Sequence, residues 1–183
     1  NTISNDMLDE LERHLGAIAS DDSRALILTG TGRAFCAGTD LNEWHGDPQQ
    51  RLLRVHALVQ RMLEFPKPVV AALTGLALGG GLELALACTF RVARRGAKLG
   101  LPEIKLGLLP AYAGTQLLPR LIGENRALEM MLSGDPVDGD AALAMGLVNR
   151  VCEDDADVVA AAVEFAASFT RHSLVPQRAI RRA

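Results

Sequence analysis

Residues 75–88 read GLALGGGLELALAC, and the three consecutive glycines at 79–81 constrain this chain more than any other feature. They stand directly before LELALAC, a helical composition, although each helical glycine costs about 0.5–1 kcal/mol in lost backbone freedom. Two physical reasons justify such a run. Glycine lets a strand and a helix pack backbone to backbone. It also lets a ligand approach the N–H groups that a helix start leaves unpaired. The second reading makes an anion site, or an oxyanion site when the charge develops only in a transition state. A comparable loop, AFCAGTDL at 34–41, also follows an apolar run. Loops leaving neighbouring strands of one parallel sheet emerge at the same edge, where each can offer one N–H to the same oxygen.

VVAAL (69–73) and RALILTG (24–30) are short continuous apolar runs, the pattern of strands buried on both faces. TFRVA, AKLGL and LVNRVC (147–152) read as further short strands, and TGTGRAFCAGTDL reads as a glycine-rich loop. Helical periodicity places Met7, Leu8, Leu11, Leu15 and Ile18 on one face after a Ser4 cap. It places Leu52, Val55, Val59 and Met62 on a second helix over about 49–64, ended by Pro66 and Pro68. Further helices are expected near 114–122, 124–132, 138–145 and 156–170. The alternation predicts an α/β layer fold with a mainly parallel sheet, in one domain covering 1–183.

A net charge of −3 and the lack of a basic stripe before the terminal RAIRRA argue against nucleic acid as a partner. That patch reads as a solvated helix face, with phosphate contact as the other reading. The apolar stretch from Val69 to Cys88 is broken by Thr74, Glu83 and four glycines, so no membrane span is expected. Cys36, Cys88 and Cys152 have no metal-ligand spacing and fit reduced thiols in a cytoplasmic setting. His14, His45, His56 and His172 are too scattered to predict a metal site, and nothing ties them to Cys36 as a nucleophile. GTGRAF begins like a dinucleotide fingerprint but has Phe35 at its third glycine, and there is no G-x-S-x-G elbow.

The carboxylates remain. Glu83 fits a first-turn acid favoured by the helix dipole. Its neighbours Leu82, Leu84 and Leu86 leave little polar surface, and an acid so placed has a raised pKa suited to proton exchange near neutrality. Glu103, in GLPEIKLG, follows Pro102 in a loop-like stretch and alone reads as a surface residue.

RALILTGTGRAFCAGTDLNE (24–43), KPVVAALTGLALGGGLELALACTFRVA (67–93), AKLGLPEIKLGLLPAYAGTQLLPRLIG (97–123) and ALEMMLSGDPVDGDAALAMGLVNRV (127–151) form an ordered series. Together they resemble the enoyl-CoA hydratase/isomerase, or crotonase, superfamily across nearly the whole chain. The resemblance implies a spiral core of strand–strand–helix repeats. It places the family's N-terminal strand before Asn1 and its C-terminal helices beyond Ala183, which makes the chain a fragment. It implies an acyl-CoA thioester substrate, no cofactor beyond the coenzyme A of that substrate, no metal, and a homotrimer or a dimer of trimers.

By position, the resemblance gives the oxyanion N–H groups to Ala37 and Gly80, with Glu83 as base and Glu103 as acid. It surrounds the substrate with Ala34, Cys36, Gly38, Asp40, Leu41, Leu78, Gly79 and Gly114. The implied reaction is syn addition of water across the C2–C3 double bond of a trans-2-enoyl-CoA. Isomerases of the family commonly keep only the later acid, so Glu83 favours a hydratase. A double-bond isomerase and a non-catalytic acyl-CoA binder are the alternatives. Ala111 and Ala113 stand where the family has glycines, while Thr89 and Leu99 replace an Asp and a Phe as structural changes. Trp44 is placed to line the acyl pocket or to pack on the surface.

Overall fold

The computed structural model describes residues 1–43 and 47–182. Its seven strands are β1 (Leu26–Thr29), β2 (Ala34–Cys36), β3 (Val69–Leu73), β4 (Leu76–Leu78), β5 (Phe90–Arg94), β6 (Leu99–Gly100) and β7 (Arg150–Cys152). The odd strands form one all-parallel sheet in the order β1-β3-β5-β7, and the even strands form a second in the order β2-β4-β6. Each turn of the chain thus lays one strand in each sheet and returns through a helix. α2 (Pro48–Leu63) follows β2, α3 (Gly80–Leu86) follows β4, and α4 (Gly114–Ile122) comes after β6. This is the expected strand–strand–helix spiral, and α/β is the fold class.

VVAAL forms the centre because it carries no polar side chain and alternates between two cores. Val69, Ala71 and Leu73 face the main core beneath the helices. Val70 and Ala72 face a smaller one, closed by Val158, Ala162 and Ala166 of α7 (Val158–Thr170). The Val69 N–H donates to Thr89 Oγ1, so this hydroxyl supplies the acceptor at the strand's start. The helices begin where capping chemistry predicts. Ser4 accepts from the Met7 N–H to open α1 (Asn5–Ser20), and Asp47 accepts from Gln49 and Gln50 ahead of α2, which carries Pro48 at its start. α5 (Glu124–Ser133) and α6 (Gly139–Ala144) match their predicted ranges within two residues.

Three expectations change. AFC is a strand inside the predicted loop, and LAL (76–78) is a strand between β3 and the glycines. The two glycine loops therefore leave β2 and β4, neighbours in the second sheet, and not the longer apolar strands before them. The basic C-terminal patch belongs to α8 (Leu174–Arg182), where Arg178 donates to the Pro66 carbonyl and Arg181 to those of Phe65 and Lys67. Both satisfy backbone acceptors after α2, Arg178 while remaining exposed and Arg181 while half-buried. No single described helix is long and apolar enough to cross a membrane.

Candidate active site

The glycine run resolves into two functions, one for each of its opening readings. A methyl group on Gly81 would overlap the Cys36 carbonyl oxygen, so this glycine lets α3 lie directly on β2. Gly80 exposes backbone, and its N–H has no acceptor among the described residues. Gly79 adopts φ 54°, and a methyl there would lie 2.9 Å from Glu103 Oε1.

The loop after β2 is shaped by Gly38. Residues Asn1–Ile3 run parallel beside it: the Ala37 N–H donates to the Asn1 carbonyl at 2.9 Å, the Ile3 N–H to Gly38, and the Asp40 N–H to Ile3. One extra residue is accommodated between Cys36 and Thr39, and Gly38 absorbs it at φ 103°. In a parallel bridge the residue opposite Ile3 turns its own amide outward. Thr39 is that residue, and its N–H has no acceptor among the described residues. This corrects the assignment of Ala37: its amide is already donated within the fold, and Thr39 carries the amide left over. The Gly38 Cα lies against the other loop, since a methyl there would be 3.1 Å from the Leu78 carbonyl oxygen and 3.7 Å from the Gly80 nitrogen.

Glu83 and Glu103 meet this edge from two directions. Glu83, 1% exposed, projects from the first turn of α3, and its Oε1 accepts the N–H of Tyr112 at 2.8 Å and of Gly114 at 2.7 Å. Burial pushes its pKa up to about 7; the Gly114 N–H opposes the rise, and the Glu103 carboxyl adds to it. Its own helix start does not hold it, as a first-turn acid would be held. The donors come from the turn before α4. Glu103 sits on a 3₁₀ turn, Pro102–Leu106, and not in an open surface loop. It is half-buried, burial raises its pKa, and its Oε2 is buried without a hydrogen-bond partner.

The two amides that hold Glu83 converge because Ala113 between them adopts φ 129°, which an L side chain rarely occupies. Such a conformation costs on the order of 1–3 kcal/mol, against about 0.5–1 kcal/mol for the freedom glycine loses. Ala113→Gly is therefore expected to stabilise the protein by about 1 kcal/mol, read as a higher denaturant midpoint at unchanged slope. His56 Nε2, 2.6 Å from the Ala111 carbonyl, braces the same turn from α2.

A cavity of about 160 Å³ joins these groups. Ala37–Thr39 with Gly79, Gly80 and Glu83 contribute one side, and Pro102, Glu103 and the aliphatic Leu106, Leu108 and Leu109 another, with Ala111 and Tyr112 closing it. Of the predicted substrate contacts, Gly38 and Gly79 line it, and Gly114 borders it through its bond to Glu83. Ala34, Cys36, Asp40 and Leu78 do not line it. Cys36 is buried and lines a separate cavity with Leu28, Phe35 and Leu84, and burial raises its thiol pKa. Asp40 accepts from the Thr2 hydroxyl, and the Ala34 carbonyl accepts from the Asn1 side chain. The Leu41 side chain and Trp44 lie outside the described residues. Thr39, Tyr112 and the leucine wall are not identified by any sequence motif; only the position of Thr39 after a loop glycine hints at it.

Two parallel sheets wound from strand–strand–helix units, with a buried glutamate under a strained turn, define an α/β fold of the crotonase type. The chain belongs to the enoyl-CoA hydratase/isomerase family, whose profile matches residues 1–182. It is 45% identical over 179 residues to a protein named probable enoyl-CoA hydratase from Bacillus subtilis, covering 94% of this chain and 69% of that one. It superposes on the enoyl-CoA hydratase from Bacillus anthracis with a TM-score of 0.92 at 36% identity, covering 99% of this chain and 72% of the other. Pseudomonas aeruginosa DspI is also similar, with a TM-score of 0.91 at 39% identity over 98% of this chain and 75% of that one.

Proposed function

We propose that the protein adds water across the C2–C3 double bond of trans-2-enoyl-CoA thioesters. The observation that carries this reading is the pair of unused carboxylate oxygens: Glu103 Oε2 is buried without a partner, and Glu83 accepts both of its amides on Oε1 alone. Two such oxygens at one cavity suit a water held between two acids.

In this mechanism the thioester oxygen lies between the Thr39 and Gly80 N–H groups. Each contributes most when that oxygen carries the enolate charge, and loss of one such donor typically lowers turnover about 10²–10³-fold. The carboxylates orient one water. Glu83 takes its proton as oxygen attacks C3, and Glu103 delivers a proton to C2, giving a 3-hydroxyacyl-CoA. The two acids titrate as a coupled pair. A base pKa about 7 keeps Glu83 close to half ionised at neutrality, where general-base catalysis is efficient. The presence of an acid at 83 as well as at 103 favours hydration over double-bond isomerisation. The reading uses no cofactor besides the coenzyme A of the substrate, and family membership leads us to expect a homotrimer or a pair of trimers, which sedimentation measures.

Glu103→Gln tests the assignment. The amide cannot deliver the C2 proton, so hydration of trans-2-butenoyl-CoA, followed by loss of its conjugated absorbance, is expected to fall about 10²–10⁴-fold. Binding of saturated butanoyl-CoA is expected to change by less than a few fold. Retained hydration in this variant would remove Glu103 from the reaction.

A further inference from the structure

Tyr112, the chain's only tyrosine, touches all three parts of the site. Its N–H holds Glu83 Oε1. Its ring covers Gly80, where a methyl would lie 2.9 and 3.0 Å from Cδ2 and Cε2. Its hydroxyl accepts a 2.9 Å hydrogen bond from Thr39 Oγ1. The phenol is 8% exposed, and Arg51 Nε lies 3.4 Å from the same oxygen. Arg51 also donates to the Ile3 carbonyl, the acceptor of the Asp40 N–H, and to Asn5 Oδ1. One side-chain network thus grips the residues on both sides of the Thr39 amide and ties them to the turn that holds Glu83.

We propose that Tyr112 is a positioning residue for the oxyanion site, fixing the direction of the Thr39 N–H through the bond between the two hydroxyls. The inference rests on the thioester-binding part of the function proposed above. The Ile3 N–H holds the carbonyl end of the Gly38–Thr39 peptide; Gly38, at φ 103°, brings no side chain to the segment, so the Thr39 hydroxyl is the side-chain anchor at the amide end. Among the described residues, the bond to Tyr112 is the only hydrogen bond made by the Thr39 side chain. Misplacing a reacting group by about 1 Å can cost about 10²-fold in rate. A tether that spans both amide-bearing loops and the base is therefore worth a measurable share of turnover.

The test uses Tyr112→Phe, Thr39→Val and Thr39→Ser in the whole protein, with two readouts. One is kcat and KM for trans-2-butenoyl-CoA. The other is the infrared stretch of bound butanoyl-CoA, isotopically labelled at its carbonyl, which reports thioester polarisation without any turnover. Tyr112→Phe and Thr39→Val are each expected to lower kcat about 10-fold with KM within two- to threefold, and to remove most of the carbonyl downshift. The double variant should lose no more than either single one, because both break the same bond. Thr39→Ser keeps the hydroxyl and should keep both signals. If the phenylalanine variant folds poorly, Thr39→Val interrogates the same bond from its other end. Parent-like downshift and kcat in Tyr112→Phe or Thr39→Val would overturn the inference. Polarisation by the parent without hydration would sink the hydratase reading alone, leaving the inference to be judged on the carbonyl stretch. A parent that does not polarise the thioester would sink both.

Discussion

Glu83→Gln is expected to lose about 10²–10⁴-fold in turnover and to gain stability at the same time. The glutamine keeps the shape and can accept the Tyr112 and Gly114 amides on its oxygen, but it cannot take a proton from water. The stability gain follows from linkage. Burial raises the Glu83 pKa from 4.5 to about 7, so the folded state holds its proton after the unfolded chain has lost it. Below about pH 4.5 both states are protonated and the group contributes nothing. Between that and about pH 7 its cost grows, and above pH 7 the full penalty, about 3 kcal/mol, is present. Thermal unfolding at pH 8 should therefore show the variant above the parent, with the two converging near pH 4. Equal stability at both pH values would mean that Glu83 is not held in a dry site.

Gly81→Ala is expected to damage the fold more than any change at the acids. The added methyl meets the Cys36 carbonyl, a backbone atom of β2 that cannot rotate away, so α3 and β2 must separate. Overpacking of a core typically costs about 1–3 kcal/mol, and a rigid backbone neighbour places this case at the upper end. For a chain of this length that lowers Tm by roughly 6–12 °C. The same separation carries Gly80 away from Thr39, so residual folded protein should turn over slowly. An unfolding free energy within about 0.5 kcal/mol of the parent would show that the contact is loose.

The contrast between these residues explains what was legible in the sequence. β3 announces itself because burial on both faces demands an unbroken apolar run; β1 shows as a short apolar run although it is only half-buried, and β5 carries Arg91 in its middle. β2 and β4 hide because three residues beside glycines and alanines carry no period. Glu83 stands out as an acid set against leucines, whereas Glu103 alone reads as a surface residue and is singled out only by the family resemblance. The amide of Thr39 does not stand out, since its availability depends on a bulge at Gly38 and on pairing with Asn1–Ile3, far away in the chain. Sequence position suggested Ala37, and only the Asn1 carbonyl shows that its N–H is spent. The family resemblance places Cys36 and Ala34 near substrate. Strand geometry instead buries Cys36 in the main core, away from the cavity that holds the two acids. Ala113 is the reverse case: an alanine where glycines are usual marked the turn, and its φ of 129° shows why the position matters.

The most direct measurement is the reaction itself in water labelled with oxygen-18, with trans-2-butenoyl-CoA and 3-butenoyl-CoA offered separately to the parent protein. The hydratase account predicts loss of the conjugated absorbance from the first substrate and a product carrying one labelled oxygen at C3. An unchanged trans-2 substrate, together with a growing conjugated band and no label from the 3-enoyl thioester, would contradict it and identify a double-bond isomerase.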